Sequence, residues 1–163
     1  MVPSTEEIVT SSSPTLWETI AVEAGRESEL WAAALRPEPE REELAVFSPL
    51  AEERYAVGLE TIYEGYLLHY GNPRLFRADD RDTRILLGDY LYAHGLVRVA
   101  SLGDVEAVGA LAELLSLCAH LRAGGLPGDG EAWAATVAAL DGGAEGSDEA
   151  RARALALHAE RVE

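Results

Sequence analysis

An all-α fold is predicted by three features of this 163-residue sequence. Apolar residues recur at helical spacing along most of the chain. Helix-starting and helix-stopping residues fall at the ends of those runs. No run shows the alternation of a half-buried strand, and at 48% hydrophobic residues the chain has material for a core. Packed helices are the expected architecture.

The elements follow in order. Residues 1–13, MVPSTEEIVTSSS, are polar and read as a flexible tail, with 14–163 as a single all-α domain. In SPTLWETIAVEAG, Thr15 and Glu18 have capping-box spacing, and Gly25 is a stop signal. ESELWAAALR follows and is ended by Pro37 and Pro39. Ser48 and Pro49 suit the N-cap and first position of a long helix from about Pro49 to Tyr70, stopped by Gly71–Pro73. A further helix spans about Asp80–Ser101. Gly103 ends it, and Asp104 caps the next, which reaches Ala123. Two shorter helices, near Glu131–Leu140 and Asp148–Arg161, flank the turn sequence DGGAEGS.

Charge narrows the function classes. The net charge is −16 and every basic residue is Arg, so no basic face for nucleic acid is expected. Cys118 is alone and reads as a small core residue. No charged-then-apolar leader opens the chain, and no apolar run reaches the ~18 residues of a membrane span, so the cytoplasm is the expected compartment.

Helical projection places the candidate residues. Tyr55, Gly58, Leu59, Ile62, Tyr63, Tyr66, Leu67 and Tyr70 share one broad side, with His69 at its edge. Glu60 and Glu64 stack on the narrower opposite side and read as a solvated face. RILLGDYLYAHGLVRVA, residues 84–100, is apolar nearly all round and reads as the central helix. Within it Gly88 and Gly95 suit close approach by another helix, and Asp89 is expected in a buried polar pocket between helices.

LETIYEGYLLHYG followed by ILLGDYLYAHGLVRVASLGDVEAV resembles the trans-polyprenyl diphosphate synthases, which have the all-α isoprenoid synthase fold. The resemblance covers residues 49–123 in character and about Ala51–Ala123 in motif. Glu60 matches the family's Glu, Leu67 its Leu, and His69 the His before its aspartates. Tyr63 stands where His is usual. Gly88 and Asp89 match the family's Gly-Asp pair, and Leu91 the Leu after it. The resemblance implies a shortened isoprenoid synthase fold.

The departures from the family pattern are chemical. Where it has the first aspartate-rich metal motif, this chain has YGNPR: Tyr70 and Gly71 replace the adjacent aspartates and Arg74 the third. The family's Mg²⁺ ions are held by carboxylates, which Tyr, Gly and Arg cannot replace. Asp79, Asp80 and Asp82 in DDRD are weak metal candidates, since acidic residues commonly sit at a helix start. No second aspartate-rich motif follows. The non-catalytic small component of two-component bacterial prenyl synthases fits these losses. It keeps a Gly-Asp-Tyr helix and a following Gly-Asp-hydrophobic-Glu break, here Gly88–Tyr90 and Gly103–Glu106.

That likeness implies a non-catalytic or regulatory partner subunit for making a quinone side chain. It implies a homodimer or a heteromer with a catalytic prenyl synthase subunit, a prenyl diphosphate contact, and no cofactor except Mg²⁺ through that partner. Tyr63, Tyr66, Leu67, Tyr90 and Leu91 are the expected interface or lipid-facing residues. An independent helical interaction module is the alternative. A third reading is a carboxylate–histidine metal bundle using Glu60, Glu64, His69, Asp89 and His94.

Overall fold

The computed structural model describes residues 12–140 and 147–162. The proposed tail falls largely in residues 1–11, and the DGGAEGS turn in 141–146; both stretches lie outside the described residues. Among the described residues the chain forms seven α-helices and no strand. They are α1 (Leu16–Glu27), α2 (Glu29–Ala34), α3 (Ala56–Tyr70), α4 (Arg81–Ala100), α5 (Val105–Ala123), α6 (Asp129–Ala139) and α7 (Asp148–Arg161). The all-α helical bundle is as the sequence predicts.

Local chemistry sets most boundaries. The Thr15–Glu18 capping box is formed. Asp80 accepts from the Thr83 amide at the start of α4, and Asp104 from the Ala107 amide at the start of α5. Gly103 takes φ +80°, which ends α4 where a larger residue would be strained. Gly25 does not stop α1, which runs on to Ser28, the residue that also caps α2.

The helix expected from Pro49 starts only at Ala56. Residues 48–55 instead form two short 3₁₀ turns, Ser48–Leu50 and Glu53–Tyr55. The Val46 and Ser48 amides both donate to Glu60 Oε1, 3.3 Å away, which folds this segment back against the middle of α3.

The central helix is α3, not α4. From Gly58 to Leu68 every residue of α3 is buried, Glu60 and Glu64 included. It lies between two apolar clusters. One gathers Trp17, Ile20, Leu68, Phe76, Leu87 and Leu91; the other gathers Phe47, Tyr63, Tyr66, Leu111, Leu114 and Trp133. By contrast α4 buries only one face, and Leu86 and Val97 are 56% and 62% exposed.

Glycines set the α3–α4 distance. A Cβ on Gly65 would lie 2.8 Å from the Gly88 carbonyl oxygen. One on Gly95 would lie 2.4 Å from Ile62 Cγ1 and 2.9 Å from the Gly58 carbonyl oxygen. The helices touch backbone to backbone, which offsets the low helix propensity of glycine. Gly95→Ala should therefore destabilise the fold by about 1–3 kcal/mol in urea unfolding. Gly109 on α5 has nothing near its Cβ position, so Gly109→Ala should stabilise by about 0.5–1 kcal/mol.

Candidate functional site

Among the described residues, two polar centres, one buried and one partly buried, and two surface hollows bear on function. The first centre is built on Arg74, which is fully buried. Its NH1 donates to Glu60 Oε2 at 2.6 Å and to the Leu44 carbonyl at 2.7 Å; its Nε donates to Glu64 Oε2 at 3.0 Å. The guanidinium carbon lies 4.8 Å from the Trp17 ring centroid and 5.1 Å from that of Tyr63. Glu64 Oε1 accepts from the Leu75 amide at 2.7 Å. Burial works against the Arg74 charge, but the two carboxylates outweigh it and hold its pKa above the ordinary value.

The second centre is Asp129, the first residue of α6, where the helix dipole favours a carboxylate. One oxygen, Oδ2, accepts from the Tyr66 hydroxyl, from Arg122 NH2 at 2.7 Å and from His158 Nε2 at 3.1 Å. The Tyr63 hydroxyl lies 2.9 Å from His158 Nδ1. Side chains of α3, α5, α6 and α7 thus meet at one carboxylate. Burial alone would raise the Asp129 pKa; the bonds from Tyr66 and Arg122 and the nearby His158 overcome it and set it at about 2. Burial lowers the His158 pKa, against the pull of Asp129.

Tyr63, His158 and Asp129 have the connectivity of a hydroxyl–imidazole–carboxylate relay. Tyr63 is 1% exposed and His158 4%, so the hydroxyl end has no solvent face at which a substrate can sit. The Tyr63 and Tyr66 hydroxyls are held protonated, chiefly by burial. The arrangement is structural: a neutral imidazole bridges a phenol and a carboxylate.

The predicted site residues fall as follows. Glu60 and Glu64 are not a solvated face; Arg74, from the loop after α3, neutralises them inside the molecule. Tyr63, Tyr66, Leu67 and Leu91 are not at an interface or lipid-facing surface, because each is at most 1% exposed in the isolated chain. Tyr90 stacks between Trp31 and His94, under α2. Asp89 is a further correction: its side chain is 65% exposed. Gly88 faces His69 and Gly65 across the helix pair, and the next residue is turned about 100° off that contact.

His69 Nε2 lies 3.0 Å from Asp89 Oδ1 but without hydrogen-bond alignment. His94 pairs with Glu23 of α1 at 2.9 Å, so the proposed carboxylate–histidine set does not converge. Among the described residues no group of three or more His, Cys, Asp or Glu is placed to hold a metal ion. Asp80 is a helix cap, and Asp79 and Asp82 do not join it in such a group. Cys118 is buried, as expected, and burial pushes its thiol up to about 12.

YGNPR lies against the end of α7. The Asn72 amide donates to the Arg161 carbonyl at 2.8 Å, and Gly71 forms an isolated bridge with Val162. A Cβ on Gly71 would lie 2.3 Å from that Arg161 carbonyl oxygen. Arg84 donates to the carbonyls of Leu68 at 3.1 Å and Gly71 at 2.9 Å, closing the end of α3. Beside it is a hollow of about 450 Å³ bordered by His69, Tyr70, Arg84 and Arg122. A larger groove lies between α5 and α6.

Asp129, His158, Arg122 and Arg74 were the residues sequence reasoning missed as polar centres. Asp129 follows Gly128, which takes φ +114°; the signal in the sequence was the turn-forming stretch GGLPGDG around it. Compared with known proteins, the chain matches no family model, no curated protein and no solved structure. The fold defines an all-α helical bundle, and no helix among the described residues is long and apolar enough to cross a membrane.

Arg74→Met should leave two buried carboxylates unmatched and cost about 3–5 kcal/mol in urea unfolding. Asp89→Ala should change stability by no more than about 0.5 kcal/mol. Acid should act in two stages. The folded pKa of His158 lies below 6.5, so its stabilising share is complete above pH 6.5 and declines as the pH falls below that. That of Asp129 is complete above about pH 4 and is lost as the pH falls from 3.8 to about 2. His158→Gln should remove the first decline and Asp129→Asn the second, read from melting temperature against pH.

Proposed function

We infer that this chain is a non-catalytic helical partner subunit of a polyprenyl diphosphate synthase, acting in the cytoplasm on quinone side-chain synthesis. The observation that supports this reading best is the fate of YGNPR. At the end of α3, where catalytic members of the family it resembles present aspartates to metal-bound diphosphate, Gly71 and Asn72 are held against the end of α7. The carboxylates about two and three turns back, Glu64 and Glu60, are bound to Arg74. The chain has a close Gly-mediated pairing of α3 and α4, and among the described residues no group of three or more His, Cys, Asp or Glu is placed there to hold Mg²⁺.

The proposed contact with the catalytic subunit is the outer face of α4. Leu86, Ala93 and Val97 lie along it at helical spacing, and all three are exposed. Uncovered apolar side chains in such a row suit a helix–helix contact. The prenyl diphosphate contact is assigned to the hollow beside Arg84. That guanidinium binds only carbonyl oxygens and has no acidic partner among the described residues, so it offers charge to an anionic headgroup.

The test mixes the purified chain with a catalytic prenyl synthase subunit from the same cells. Light scattering should report a complex heavier than either component, and the chain alone should release no diphosphate from allylic and isopentenyl diphosphates with Mg²⁺. Leu86→Asp with Val97→Asp should abolish the complex and leave the melting temperature within a few degrees. Turnover by the chain alone, or failure to bind either the subunit or a prenyl diphosphate, would overturn the reading and leave an independent helical interaction module.

A further inference from the structure

The groove between α5 and α6 has a volume of about 860 Å³, against about 450 Å³ for the hollow beside Arg84. Its floor is apolar and small: Ala107, Ala110 and Leu114 from α5, Ala135 and Ala139 from α6. Leu117 and Leu140 also line it, and Leu117 is 46% exposed. Small side chains on both walls let a third helix axis come close, as ridges-into-grooves packing requires. From Ala107 to Leu117 the groove runs about 15 Å, roughly three helical turns.

The border of this groove is acidic. Asp104, Glu106 and Glu113 stand on it, and none of its lining residues is basic. Asp104 is partly matched, by the Tyr55 hydroxyl at 2.5 Å and by Arg54 at 4.0 Å. Glu106 and Glu113 have no cation within ion-pair distance among the described residues. An apolar floor inside an unmatched acidic border is complementary to a helix with an apolar stripe flanked by cations.

We propose that the α5–α6 groove is a docking site for an amphipathic helix of a partner protein, about three turns long, with Leu-type anchors flanked by Arg or Lys. A second copy of this chain is a poor occupant. The net charge is −16, and the exposed apolar row of α4 carries Asp82 and Asp89 beside Leu86, so two copies would set carboxylate against carboxylate. The proposal is independent of the prenyl reading: it uses a different surface from α4 and needs no catalytic subunit.

The probe is a fluorescein-labelled 18-residue peptide with Leu at helical spacing and Arg on both flanks of the stripe. Its control carries Glu at each Arg position. Binding to the full chain is read by fluorescence anisotropy and located by amide chemical shifts. Shifts should be confined to residues 104–117 and 135–140, and the Glu peptide should bind at least about tenfold more weakly. Ala135→Arg, at an exposed position in the groove, should also weaken binding about tenfold or more, with the circular dichroism spectrum unchanged. Leu86→Asp on α4 should leave binding intact.

Equal binding of both peptides, shifts located elsewhere, or no binding at millimolar peptide would overturn the proposal. So would a dimer of the free chain that Ala135→Arg dissociates, since the groove's occupant would then be a second copy. Because Leu86→Asp separates the two surfaces, failure here is distinguishable from failure of the α4 contact.

Discussion

Arg74 bound between Glu60 and Glu64 is the constraint on which the rest of the molecule depends. A guanidinium and two carboxylates, all at most 1% exposed, are taken out of water together. Each ion alone would be costly to bury; as a set, nearly every donor and acceptor finds a partner. The partners come from separate parts of the chain. Trp17 of α1 lies over Arg74, the Leu44 carbonyl and the Val46 and Ser48 amides close one side, and the Leu75 amide closes another. The cluster therefore fixes the path of residues 44–48, the loop after α3 and the docking of α1. It also explains why α3 is buried on all sides although it carries two glutamates.

Asp129 does the same work at the other side of α3. It ties α5, α6 and α7 to Tyr63 and Tyr66 through one carboxylate oxygen. Gly130 allows His158 to come close, since a Cβ there would lie 2.8 Å from His158 Cδ2. The stacked Phe47 and Trp133 rings, 5.4 Å apart at 14°, fill the adjoining core. Between them the two centres use the titratable side chains a reader would first examine for catalysis. Among the described residues, solvent reaches features of another kind, including an apolar row on α4, a cation at the end of α3 and an acid-bordered groove on α5 and α6. The proposed partner and anionic-ligand contacts rest on these three features.

The helices were legible in the sequence because their signals are local. Capping at Thr15, Asp80 and Asp104, the stop at Gly103 and the small-residue contacts at Gly88 and Gly95 each rest on a few neighbouring residues. The sequence by itself determined the all-α class, the ends of most helices and the burial of Cys118. Tertiary structure alone decided which helix is central and where the carboxylates go. Helical projection shows that Glu60 and Glu64 share a side, but not that Arg74, ten to fourteen positions later, folds back onto it. Asp89 shows the same limit in reverse: an apolar setting in the sequence left it exposed, because only the packing of Gly88 on Gly65 sets the rotation of α4. Pairing between distant charges and the rotation of one helix against another are long-range quantities, and no periodicity within a single helix carries them.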